Sequence, residues 1–206
     1  MDRHLLLNFL FVSLTCCLGQ SQSSHLDTTN DICANIYADR TVTLFGDSSY
    51  KLTLHVFDTA NYDQETNNAI LTFTKQEKNY LKVFFRDSLY CLYPEIAFQD
   101  FNNDKRKDVL IFYYTGARAN PTYHLYLADF RNRELIRVKG FEKLPNPDLD
   151  TTNNIIISIA LSGANYYSFY RINKGNKLIN LEYSFTENHG DSTQYVRAIR
   201  KIRKYK

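Results

Sequence analysis

The chain lacks the patterns by which most catalytic and nucleotide-handling proteins can be recognised. There is no G-x-S-x-G elbow, no H-E-x-x-H helix, no P-loop and no dinucleotide glycine pattern, which removes the usual serine-hydrolase, zinc-protease and phosphate-binding sites. His25, His55, His124 and His189 have no metal-ligand spacing between any pair. A single His in or beside a strand, as His55 and His124 are, is more often packed or hydrogen-bonded than basic in a catalytic sense. Asp148 and Asp150 form an acidic pair, but their context P-N-P-D-L-D reads as a turn. With no catalytic site visible, the chain is read as a non-enzyme.

Other absences bound where the protein works. N-x-S/T sequons are missing, the near match Asn120-Pro121-Thr122 being disqualified by its proline, which favours a bacterial exported protein over a eukaryotic secreted one. No apolar run after the first residues is long enough to span a bilayer. The N-terminus has Arg3, an apolar run from Leu5 to Val12, small residues, then a Gln/Ser-rich stretch. That is the layout of a secretory signal peptide over residues 1–19, followed by a polar, disordered lead over 20–31 and one domain over 32–206. Cleavage after Gly19 or Ser21 competes with a lipobox reading in which Cys17 is lipidated. Cys16 stands before that alternative cut, where Gly, Ala or Ser are usual, so the soluble form, periplasmic or extracellular, is preferred. Removal of the signal leaves Cys33 and Cys91, which an oxidising compartment favours pairing. Such a loop closure contributes about 4 kcal/mol in the chain-entropy model.

Charge is nearly balanced at +3. Arg197, Arg200, Lys201, Arg203, Lys204 and Lys206 lie in the last ten residues, and without them the remainder is at −3. Basicity is therefore local, and nucleic acid is excluded as a partner for want of a wider basic face. A solvated terminal segment is the preferred reading of the tail, with anionic lipid or an acidic partner as the alternative.

Tryptophan is absent, whereas 16 Tyr and 14 Phe recur with Val, Ile, Leu and Thr in runs broken by Asn, Asp, Gly and Pro. The pattern predicts an all-β chain with strands at 41–45, 50–57, 69–74, 80–85, 108–114, 123–130, 134–138, 155–161, 166–172 and 178–185. Tyr50, Leu52, Leu54 and Val56 alternate as in a half-buried strand. Residues 109–114 and 155–161 are apolar on both parities, which predicts central strands covered on both faces. No long amphipathic helix stands out. Many short strands at near-regular spacing indicate a small β-propeller-like or compact antiparallel β domain.

The strongest functional lead is D-F-N-N-D-K-R-K-D at 100–108. Asp100, Asn102, Asp104 and Asp108 stand at loop positions one, three, five and nine, and the Arg106 carbonyl would fill position seven. This is the spacing with which a tight loop wraps Ca²⁺ in oxygen. Lys105 occupies the sixth position, where Gly is usual because the turn needs a left-handed backbone; at a side-chain-bearing residue that conformation costs roughly 1–2 kcal/mol. The competing reading is an Asx-rich surface turn.

From Ile96 onward the chain resembles a family of exported bacterial proteins that includes periplasmic calcium-binding immunity proteins inhibiting lysozyme-like effectors. The resemblance is carried by I-A-F-Q-D-F-N-N-D-K-R-K-D-V-L-I at 96–111, G-A-R-A-N-P-T-Y-H-L-Y-L-A-D at 116–129, L-P-N-P-D-L-D at 144–150 and S-G-A-N-Y-Y-S-F-Y-R-I at 162–172. It implies a propeller-like fold, calcium at Asp100, Asn102, Asp104, Arg106 and Asp108, and action by plugging the cleft of a partner protein, with a lysozyme-like cell-wall hydrolase as the type of partner. Tyr123, Tyr166 and Tyr167 are candidate contacts, tyrosine supplying contact area at low entropic cost. The rival expectation is a surface-anchored lipoprotein or a hydrolase of envelope polysaccharide.

Overall fold

The computed structural model describes residues 38–116, 118–187 and 193–204. Strands β1 (Ala38–Leu44), β2 (Asp47–Val56), β3 (Ala69–Gln76) and β4 (Leu81–Leu89) form a first sheet. The second contains β5 (Ile96–Gln99), β6 (Asp108–Thr115), β7 (Pro121–Asp129) and β8 (Glu134–Val138), and the third β9 (Asp148–Asp150), β10 (Ile155–Ala160), β11 (Tyr166–Ile172) and β12 (Leu178–Thr186). Each sheet is an antiparallel meander of strands consecutive in the chain, the connectivity of a propeller blade. The domain is all-β, as the strand pattern predicts, and every predicted strand is present.

Side-chain parity fixes how the layers stack. Leu52, Leu54, Leu71 and Phe73 of the first sheet meet Val109, Ile111 and Tyr126 of the second in one apolar cluster. The opposite parity of the second sheet, Leu110, Leu125 and Leu127, packs with Ile156, Leu149 and Tyr170 of the third. The remaining face of the third sheet, Ile155 and Phe169, is covered by helix α1 (Thr193–Lys204). The two segments that are apolar on both parities are thus covered on both faces, β6 by two sheets and β10 by a sheet and a helix. By contrast the outer face of the first sheet carries polar rows such as Thr41, Thr53 and Thr72, the usual division of an antiparallel sheet with one wet side.

Helix α1 corrects the expectation of a solvated tail. Tyr195, Ala198, Ile199 and Ile202 fall at the i, i+3, i+4, i+7 spacing of one helix face and dock on the third sheet, leaving Arg197, Arg200, Lys201 and Arg203 exposed on the other side. Tyr195 also donates its hydroxyl to Asp150, and Arg203 donates to Asn153. Asp150 therefore anchors the helix to the β9–β10 turn.

Three turns share one device. Asp100 Oδ1 accepts the amide of Asn103 at 2.7 Å, Asp129 Oδ1 that of Asn132 at 3.0 Å, and Asp150 Oδ1 that of Asn153 at 3.0 Å. Left-handed residues follow within the turns, at Asn103, Arg133 and Asn154. The β1–β2 hairpin turns differently, on Phe45-Gly46, with φ of 59° and 68°, the type I′ pattern. Phe45 offsets its unfavourable backbone with edge-on contacts to Tyr50, Phe73 and Phe130, ring centroids 5.5, 5.9 and 5.0 Å away.

Cys91 is a free thiol, fully buried, and its Sγ donates to the Tyr93 carbonyl at 2.7 Å. Burial pushes it up to about 12, so it stays protonated and inert. The expected Cys33–Cys91 disulfide is accordingly not formed here; Cys33 lies outside the described residues, as do the signal segment 1–19, Cys17 and the lead 20–31.

Candidate metal loop

The loop at 100–108 connects β5 to β6, leaving the end of one strand and returning as its antiparallel neighbour. Its carboxylates first organise its own backbone. Asp100 accepts from Asn103 N–H at 2.7 Å and from Lys105 N–H at 2.9 Å, Asn102 Oδ1 from Asp104 N–H at 3.1 Å, and Asp104 Oδ1 from Arg106 N–H at 2.8 Å. Lys105 adopts φ 71°, the left-handed geometry that the sixth position requires, despite its side chain. The cationic run that follows is exposed, and the Arg106 guanidinium lies 4.7 Å from the centre of the Phe130 ring.

Asp108 has a role that spacing alone does not disclose. It is 0% exposed; one carboxylate oxygen accepts Phe101 N–H at 2.8 Å and the other Ala128 N–H at 3.0 Å. The side chain therefore ties the loop entrance to β7 as well as facing the other acids. Burial, against the two amide bonds, pushes its carboxyl up to about 6, and the charges of Asp104 and Asp100 add to the rise.

The donor chemistry fits a hard cation: carboxylates, an amide and a backbone carbonyl supply oxygen only. Among the described residues, however, no group of three or more His, Cys, Asp or Glu side chains gathers into a metal-holding cluster, and the loop oxygens are engaged with backbone amides. Asn103 Oδ1 is buried without a hydrogen-bond partner while its Nδ2 reaches the Thr151 carbonyl at 3.0 Å. Beside the loop lies a cleft of about 450 Å³ lined by Asn102, Asp104, Arg106, Asp129 and Arg131. Asp129, across this cleft, escapes notice in the sequence, although D-F-R-N at 129–132 echoes D-F-N-N at 100–103.

The other candidates separate. Asp148 accepts from Gln99 Nε2 at 2.9 Å, Asp150 holds its own turn and Tyr195, and the pair serves the fold. His55 Nδ1 meets Asp39 at 2.5 Å on the outer face of the first sheet. His124 is 3% exposed and belongs to a chain of polar groups across the seam of the first two sheets. Its Nε2 donates to the Tyr90 carbonyl at 3.1 Å, and its Nδ1 accepts from Arg137 at 3.0 Å. Arg137 also donates to Asp87 at 2.9 Å, as does the Tyr126 hydroxyl at 2.6 Å. Of the tyrosines, Tyr166 is exposed, Tyr123 packs edge-on to Phe112 and Tyr167 stacks on Phe185.

No protein-family model matches the sequence, and no curated protein or solved structure is significantly similar to it.

Proposed function

We propose that this chain is an exported calcium-binding protein that acts without turnover, by occupying a partner protein of the cell-wall hydrolase type. The observation that carries the calcium half is the loop at 100–108, with an all-oxygen donor set and Lys105 already in the left-handed backbone of the sixth position. The Asp100–Asn103 turn alone would not suffice, since the same device recurs at 129–132 and 150–153. What sets this loop apart is Asp104 and the buried Asp108, whose carboxyl is pushed up chiefly by burial and to a lesser extent by the charges of Asp104 and Asp100. The residues that would hold the ion are Asp100, Asn102, Asp104 and Asp108 with the Arg106 carbonyl; the ion would stiffen the loop rather than enter a reaction. The partner half rests on the sequence resemblance and on the absence of a catalytic constellation from the motifs present.

Calcium titrated into chelator-treated full-length protein is expected to give heat and a rise in melting temperature. For a dissociation constant of roughly 10⁻⁴–10⁻³ M, typical of extracellular modules, about 10 mM ion stabilises by roughly 1–3 kcal/mol. Asp104→Ala should remove that increment while leaving the calcium-free melting temperature within a few degrees, because Asp104 is exposed. Absence of both heat and stabilisation at millimolar calcium sinks the metal half. Peptidoglycan digestion by the purified chain sinks the non-enzymatic half.

A further inference from the structure

We propose that the end of the molecule built from residues 57–68, 90–95 and the last part of β6 is a docking surface for a cationic face of a partner protein, with Tyr62 as its anchor. The proposal rests on the reading above that the chain works by binding a protein, and it names where that binding occurs and with what chemistry.

The segment between β2 and β3 is far longer than the usual hairpin connection of about two to five residues, yet it is fixed. Asn68, 1% exposed, is its bolt. Its Nδ2 donates to the Asp58 carbonyl at 2.8 Å and to the Cys91 carbonyl at 3.0 Å, its Oδ1 accepts Cys91 N–H at 2.8 Å, and its own N–H reaches the Leu89 carbonyl at 3.2 Å. Tyr90 donates its hydroxyl to the Asn61 carbonyl at 3.1 Å. Within the loop, Asp63 accepts from Glu65 N–H and the Thr66 hydroxyl at 3.0 and 2.8 Å. At the tip of this braced segment Tyr62 is 74% exposed. A large aromatic side chain on a fixed backbone loses little entropy on binding, the property of interface anchors.

The surroundings suit a cationic surface. Burial, and then the neighbouring Tyr114, Cys91, Tyr113 and Tyr62 groups, push the Tyr90 phenol up, so these tyrosines share one neighbourhood; Tyr93, 53% exposed, adjoins it through Phe112. Asp58, Asp63, Glu65 and Glu95 lie on the same segments, and neither 57–68 nor 90–96 contains Lys or Arg. Arg40 approaches from β1, donating to the Pro94 carbonyl at 3.2 Å. There, beside Tyr93 and Glu95, a notch of about 410 Å³ opens. Aromatic faces and carboxylates together recognise Arg and Lys by cation–π contact and charge-assisted hydrogen bonds. The same charge disfavours nucleic acid and anionic lipid.

The test measures binding of the full chain to a basic lysozyme by calorimetry, with inhibition of its cell-wall lysis read in parallel. Tyr62→Ala and the double variant Glu65→Lys, Glu95→Lys, which leaves the bracing Asp63 carboxylate in place, are compared with Tyr80→Ala, another exposed tyrosine on the β3–β4 turn. Tyr62→Ala should weaken binding about tenfold or more, the double variant should weaken it at least as much and flatten its salt dependence, and Tyr80→Ala should bind as wild type, all at unchanged melting temperature. Undiminished binding by Tyr62→Ala and the double variant overturns the assignment of this surface while leaving the inhibitor reading intact. A wild-type chain that neither binds nor inhibits overturns both.

Discussion

Asp108→Ala is expected to lower the melting temperature by roughly 10 °C, the largest effect among the candidate ligands of the loop. The substitution removes no more than a small side chain, but it strips the partners from two buried amides, those of Phe101 and Ala128. Each unsatisfied buried donor costs about 1–3 kcal/mol, and in a domain of this size each kcal/mol moves the midpoint by roughly 2–4 °C. Asp108→Asn keeps one acceptor oxygen and should lose about half as much. Asp104→Ala, which frees an exposed amide, should lose little. Thermal melts in chelator separate these contributions from any effect of the ion. Equal melting temperatures for the Asp104→Ala and Asp108→Ala variants would show that Asp108 does not anchor β7.

Between about pH 6.5 and pH 4 His124 is expected to withdraw a large contribution to stability, read as the difference in pH dependence between wild type and His124→Asn, and this is the second large effect. Burial, and then the Arg137 guanidinium beside it, pull the imidazole down to about 4 from its ordinary 6.5. Protonation would turn Nδ1 from acceptor to donor against Arg137 Nη2, 3.0 Å away, and place a second cation in the seam. The bond to the Tyr90 carbonyl, then Glu142 beyond β8 and Asp87 on β4, oppose this without cancelling it. Because the folded value lies below the unfolded one, the unfolded chain binds the extra proton throughout the interval. The stabilising contribution is therefore complete above about pH 6.5 and gone near pH 4, a span of about 3 kcal/mol. Asp108, raised to about 6, acts with the opposite sign above its ordinary 3.8. It is present in both proteins and drops out of the difference. Denaturant melts of wild type and His124→Asn across this range should differ in slope; parallel curves would remove the imidazole from the account.

What could be read in the sequence follows from where periodicity alone decides structure. The ten predicted strands are rich in Val, Ile, Tyr and Phe, and their parity alone assigns β6 and β10 to covered positions. β5 and β9 were not legible because Ile96–Gln99 and Asp148–Asp150 are short edge segments whose extension is set by pairing with β6 and β10, a tertiary effect. Helix α1 carried a readable apolar stripe at Tyr195, Ala198, Ile199 and Ile202, obscured by the basic residues between them. In the loop, spacing predicted the left-handed Lys105. It did not disclose that the oxygens of Asp108 are bound to backbone amides, because Ala128 lies twenty residues away along the chain and is brought there only by the β6–β7 pairing.

The doubly covered second sheet also sets a gradient in how backbone protons meet water. Amides in the middle of β6 and β7 are sealed by neighbours above and below, so their hydrogens should exchange with deuterium only through opening of the entire domain. Those of β1 and β12, at the margins of the outer sheets, need only local fraying. Exchange rates read strand by strand would therefore order the three sheets from the centre outward, and would do so without knowledge of any ligand.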